Sequence, residues 1–170
     1  MKPLLVLCLG NEVVSDDALG FVVAERLTGV DLPPEVEVTA VALAGFALLD
    51  LLQQRRAVLI VDAIVTGKEP PGHIHFFRAG TMTPTQHLVG SHQINLPHAL
   101  QLGQMLGLDM PERIDVLAVE AADVQTLAEQ LTPPVEHAVP KVVQKVIDWI
   151  EQTSQEGWHA GTRTAADTVA

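Results

Sequence analysis

Three runs dominated by Val, Leu and Ile constrain the fold of this chain more than any other feature: Leu4 to Leu9, Ala57 to Ala63 and Ile114 to Val119. A strand with one face in water alternates apolar and polar residues, whereas a strand covered on both faces reads as a nearly continuous apolar run. The runs therefore predict buried, mainly parallel strands, and a weaker strand, Val36 to Ala42, precedes the second. Helical patterns fall between and after them, over Asp17 to Leu27, Gly45 to Gln53, His92 to Leu106 and Val135 to Gln152. Strands alternating with helices of this length predict an α/β fold, a doubly wound three-layer sandwich with helices on both faces of the sheet. Ser15 or Asp16 is expected to cap the first helix, with acids in its first turn suiting the helix dipole.

One connection breaks the alternation. Only "VTGKEPPG" separates "VLIVDAI" from "HIHFF", too short for a crossover helix and rich in turn formers. These two strands are expected to pair antiparallel as a hairpin, leaving a mixed sheet with Gly72 to Arg78 as its odd strand. The 170 residues predict a single α/β domain over residues 1–153. From Ser154 to Ala170 the periodicity fades, predicting a flexible tail.

The balance of ten Lys and Arg against twenty-one Asp and Glu, a net charge of −11, disfavours nucleic acid and anionic membranes as partners. The opening apolar run is too short for a signal peptide, and no segment reaches the length of a membrane helix. The single cysteine, Cys8, excludes an internal disulfide and agrees with a reducing compartment. We therefore expect a cytoplasmic protein, acting as a monomer. Cys8 lies within the first apolar run and is assigned to the core.

In an open α/β sheet, ligands bind outside the carboxyl ends of the strands. Asp16 and Asp17 follow the first strand there, Asp62 ends the third, and His92 follows the long loop that returns to that end. Two carboxylates and an imidazole make an incomplete shell of the kind a hard or borderline divalent ion accepts. Alone, Asp17 is explained slightly better by the helix dipole than by a site, and a lone His92 better by a cap or a surface position. Asp62 is harder to explain away, because an apolar surrounding makes a buried carboxylate costly. His73 and His75 share one face of a strand, which a solvent-facing edge explains as well as a site does. There is no G-x-S-x-G elbow, no H-E-x-x-H, no cysteine pair and no phosphate-binding glycine loop. The acids between Gly10 and Gly20 would repel pyrophosphate, so the first loop is suited to a cation or to a polypeptide that carries one.

The stretches "LGNEVVSDDALG", "VDAIVTGKEPPGHIHFF", "SHQINLPHAL" and "VEAADVQTLAEQLTPPVEHAV" resemble, in order, the motifs of the nickel–iron hydrogenase maturation endopeptidases. The resemblance spans about Leu4 to Ile150. It implies a five-stranded mixed sheet and an endopeptidase, aspartic-type and nickel-dependent, that removes the C-terminal extension of a hydrogenase large-subunit precursor after nickel insertion. It also implies that the nickel arrives with the precursor. Matched position by position, the family's nickel-binding side chains fall on Asp17, Asp62 and His92. Spacing alone leaves Asp16 and Asp17 open; the resemblance selects Asp17, so that Asp16→Asn is expected to be the milder change. "AVALAG" keeps only Gly45 of the glycine-rich turn many relatives carry after the second strand. A rival reading of the same residues is a non-catalytic nickel-sensing chaperone or a flavodoxin-like binding domain.

Overall fold

A computed structural model describes residues 3–42, 45–79 and 96–160. Its centre is a five-stranded sheet built from β1 (Leu4–Leu9), β2 (Val36–Val41), β3 (Ala57–Ile64), β4 (Ile74–Arg78) and β5 (Arg113–Glu120), in the order β2-β1-β3-β5-β4. The pairs β1–β2, β1–β3 and β3–β5 are parallel, and β4 runs antiparallel along β5. The three apolar runs thus occupy the three central positions, where both faces are covered.

Two apolar layers form on the sheet. On one face, Val6, Cys8, Leu59, Val61, Leu117 and Val119 pack with α1 (Leu19–Leu27) and α4 (Pro133–Ala160). On the other, Leu5, Leu7, Val58, Ile60 and Val116 pack with residues of a 3₁₀ turn over Gly45–Leu48, of α2 (Leu49–Leu52) and of α3 (Leu96–Met105). Alternation along each strand divides the side chains between these layers. The helical pattern expected over Gly45 to Gln53 is therefore split into a 3₁₀ turn and a single α-turn. Of the pattern from His92, residues 92–95 lie outside the described residues.

The expected hairpin between the third and fourth strands does not form, because β5 inserts between them. β5 is apolar enough to need cover on both faces, while β4, with Phe76 and Arg78 exposed, suits an edge. The connecting residues instead pass over the carboxyl end of β5, where the Glu120 carboxylate accepts the Thr66 and Gly67 N–H groups at 2.7 and 2.9 Å. Gly72 has φ +87°, and a Cβ there would lie 2.5 Å from the Pro134 carbonyl oxygen, so the tight return needs glycine.

The last helix also runs further than periodicity predicts. α4 continues to Ala160, past Ser154, because side chains from the sheet hold its end. An Arg56 guanidinium N–H donates to the Thr153 carbonyl at 3.0 Å, and Arg113 pairs with Glu156 at 2.7 Å. Residues 161–170 lie outside the described residues. No helix among the described residues is long and apolar enough to cross a membrane.

Candidate active site

The loop after β1 folds back tightly on the strand that precedes it. The Asn11 N–H donates to the Asp17 carbonyl at 3.0 Å, and the Asp17 N–H donates to the Val14 carbonyl at 2.9 Å. Two glycines make room: a Cβ on Gly10 would lie 2.1 Å from the Asp17 carbonyl oxygen, and one on Gly20 would lie 2.1 Å from that of Leu9. Ser15 to Ala18 form a 3₁₀ turn, and α1 begins only at Leu19. The expected capping by Ser15 or Asp16 is absent, because both side chains are engaged elsewhere. Ser15, at φ 27°, directs its hydroxyl to the Gln130 carbonyl at 3.5 Å.

Asp16 is fully buried and fastens a distant loop. Its Oδ2 accepts the Ala122 and Asp123 N–H groups at 2.8 and 3.0 Å and the Thr132 hydroxyl at 2.9 Å. Its Oδ1 accepts the Thr132 N–H at 2.7 Å. Both ends of the 122–132 loop are thereby tied to one carboxylate, and the Asp16 N–H adds a bond to the Asp123 carbonyl at 3.0 Å.

Asp17, also buried, occupies the same 3₁₀ turn, which packs against β3. Asp62 is fully buried near the carboxyl end of β3, and its Oδ1 accepts the Ala63 N–H at 2.8 Å. Cys8 is level with Val61 in the parallel register, so Asp62 stands one position on, beside the end of β1 from which the Asp17 turn departs. By alternation Asp62 shares the face of Val58, Ile60 and Ile64, the side covered by α2 and α3. The turn and the strand end thus bring the elements of Asp17 and Asp62 together. His92 lies outside the described residues, and among these no group of three potential ligands forms. Two carboxylates supply the oxygen donors that hard or borderline divalent ions accept.

Three polar features escaped the sequence reading or were only half seen. Glu120, at the end of β5, accepts the Thr66 hydroxyl at 2.8 Å and meets His75 Nε2 at 3.1 Å, besides the two N–H groups given above. Burial opposes its ionisation, but the Thr66 hydroxyl, the Gly67 and Thr66 N–H groups and His75 together outweigh it and hold the carboxyl below its usual range. His75 on the edge strand is thus a partner of Glu120, while His73 stacks edge-on against it with ring centres 4.7 Å apart. Asp115, inside the third apolar run, is buried between Arg113, Arg78 and the Trp149 indole N–H, the last at 2.7 Å. Its signal was available, since it is an acid within a buried strand, as Asp62 is. Cys8 is buried as expected, and burial pushes its thiol up to about 12, which removes it as a nucleophile at neutral pH.

Fold and site together define a doubly wound α/β protein with two buried aspartates, Asp17 and Asp62, on elements that meet at the carboxyl end of its sheet. A sequence model of the hydrogenase maturation protease family, HycI, matches residues 21–149. The chain belongs to the hydrogenase maturation protease family. It is 27% identical over 155 residues to the hydrogenase 2 maturation protease of Escherichia coli K12, covering 90% of this chain and 93% of that protein. Its structure resembles the hydrogenase maturating endopeptidase HybD from E. coli, with a TM-score of 0.76 at 27% identity over 90% of this chain and 94% of the other. The fold is shared with the [NiFe] hydrogenase maturation protease HybD from Thermococcus kodakarensis, with a TM-score of 0.69 at 22% identity over 88% and 99% of the two chains.

Proposed function

We propose that this chain is an endopeptidase that removes the C-terminal extension of a nickel–iron hydrogenase large-subunit precursor, and that it requires nickel already seated in the precursor. The observation that carries the reading is the placement of Asp17 and Asp62 at the carboxyl ends of neighbouring strands, in a member of this family. Carboxylates there attract a cation and repel phosphate, which suits a substrate that brings its own metal. Seated nickel would supply Lewis acidity and a fixed point of attachment for the precursor.

The peptide bond is cleaved by water. A carboxylate of the pair takes a proton from the attacking water as its oxygen bonds to the scissile carbonyl carbon, and returns it to the leaving amine as the C–N bond breaks. Cys8 is not the nucleophile, since its thiol is buried and stays protonated. Asp17, Asp62 and His92 would hold the nickel that the precursor brings. The reaction is assigned to the cytoplasm, where a single buried thiol needs no oxidising environment.

Incubating the purified chain with nickel-loaded and nickel-free precursor tests the reading. A shortened large subunit from the loaded precursor alone supports it. A complex without cleavage identifies a nickel-sensing chaperone, and equal cleavage of both precursors removes the nickel requirement.

A further inference from the structure

We infer that Val13 and Leu127 form an apolar lip beside the active site, and that this lip receives an apolar side chain of the precursor next to its scissile bond; the inference rests on the endopeptidase reading. Val13 is 48% exposed and Leu127 79% exposed, although each belongs to a segment held rigidly by backbone bonds. A single exposed leucine needs no explanation. Two large exposed apolar residues on segments that the backbone pairs, next to the turn that carries Asp17, do.

The backbone brings them together. Val14 bridges to Leu127 and Ala128, the Ala128 N–H donates to the Val13 carbonyl at 3.1 Å, and the Ser15 N–H donates to the Ala128 carbonyl at 2.8 Å. The loop that carries Leu127 is tied at both ends by Asp16. Within it, Asp123 Oδ1 accepts the Gln125 and Thr126 N–H groups at 2.9 and 3.0 Å, a local turn that lifts the next residue, Leu127, outward. Its immediate neighbours Thr126 and Ala128 are small, and Leu127 is left open to solvent.

The occupant follows from continuity with the site. Val13 lies four positions before Asp17, and the Asp17 N–H is bonded to the Val14 carbonyl, so the lip and the carboxylate share one turn. A polypeptide anchored on the lip by an apolar side chain presents its adjoining backbone to Asp17. Anchors of this kind, on a preorganised surface, carry a large share of binding energy in protein complexes.

The test uses Val13→Ser, Leu127→Ser, the double variant and the conservative Leu127→Met, assayed on nickel-loaded precursor. Each serine substitution should raise KM about tenfold and the double variant about a hundredfold, with kcat and Tm unchanged. Leu127→Met should restore the wild-type KM. Binding is titrated separately with fluorescently labelled nickel-free precursor, and Kd should rise in parallel. A double variant with wild-type KM and Kd overturns the inference, as does a loss confined to kcat and Tm, which would mark a structural role. A wild-type dimer that the double variant dissociates would make the lip a self-association surface and overturn it equally. Binding without cleavage by the wild type defeats the peptidase reading alone, because the lip is still judged by Kd; absence of both defeats both.

Discussion

Asp16→Asn separates the two adjacent acids most sharply. The carboxylate is fully buried and receives four donors, three on Oδ2 and the Thr132 N–H on Oδ1. An asparagine keeps the most bonds by placing its oxygen at Oδ2, which sets its NH₂ against the Thr132 N–H, donor facing donor. Loss of that charge-assisted bond, with a buried donor left unsatisfied, costs about 1–3 kcal/mol. The three remaining bonds lose the help of the negative charge, about another 1–1.5 kcal/mol together. A total near 3 kcal/mol is a large fraction of the ~5–15 kcal/mol that holds a domain folded, and for this length corresponds to a Tm drop of about 10 °C.

Urea denaturation of both proteins measures the difference, and hydrogen exchange at the Ala122, Asp123 and Thr132 amides localises it. Processing should fall as well, through loosening of the loop that carries Leu127 and not through the metal. The sequence led to the expectation that Asp16→Asn is the milder change for processing; the four bonds on its carboxylate predict a large loss of stability all the same. A variant within about 0.5 kcal/mol of wild type, with those three amides exchanging at the wild-type rate, would refute the clasp.

Asp17→Asn, Asp62→Asn and His92→Ala should each abolish processing while unfolding remains cooperative; an Asp62→Asn protein processing at the wild-type rate would move the site elsewhere. Glu120 is held below its ordinary value of 4.5, so its stabilising contribution is present above that pH and is lost as pH falls through the lower folded value. Acid titration followed by exchange at the Thr66 and Gly67 amides should show the 65–73 connection loosening below pH 4.5, and Glu120→Gln should abolish that dependence. The Cys8 thiol should resist alkylation at pH 8 until denaturant is added; rapid labelling of the native protein would place it outside the core. Protein purified without added metal and dialysed against chelator should hold no stoichiometric nickel or zinc by elemental analysis, yet cleave nickel-loaded precursor.

The central strands were legible because burial on both faces leaves a direct mark on composition, and that mark also located Asp62 at the carboxyl end of one of them. Their neighbours were less so. Pairing of the third and fourth strands was inferred from a short connector, but connector length limits only how far the chain can travel, not which strand it passes. The competition for the inner position was decided by β5, whose residues need cover on both faces, and β4, whose residues tolerate an edge. The end of α4 was lost to periodicity for a similar reason: Arg56 and Arg113, far away in sequence, hold its last turns. Asp16 was the less legible of the two adjacent acids, since its partners lie 106 to 116 positions away and include three backbone amides whose identity no side chain reveals.

A sequence this acidic offers more ligand candidates than the fold can use. Five acids are buried among the described residues: Asp16, Asp17, Asp62, Asp115 and Glu120. Asp16 holds the ends of the 122–132 loop, Glu120 holds the connection that crosses β5, and Asp115 holds Arg78, Arg113 and Trp149 near the opposite end of its strand. Each of the three is committed to donors from at least two other parts of the chain, so a cation could recruit it only by releasing a loop or a helix. Asp17 and Asp62 sit on elements that meet at neighbouring strand ends. The adjacency of Asp16 and Asp17 is then a consequence of the 3₁₀ turn, in which successive side chains point about 120° apart. Asp16 faces the 122–132 loop while the next side chain points elsewhere, and a turn held closed by Gly10 and Gly20 keeps the two directions fixed.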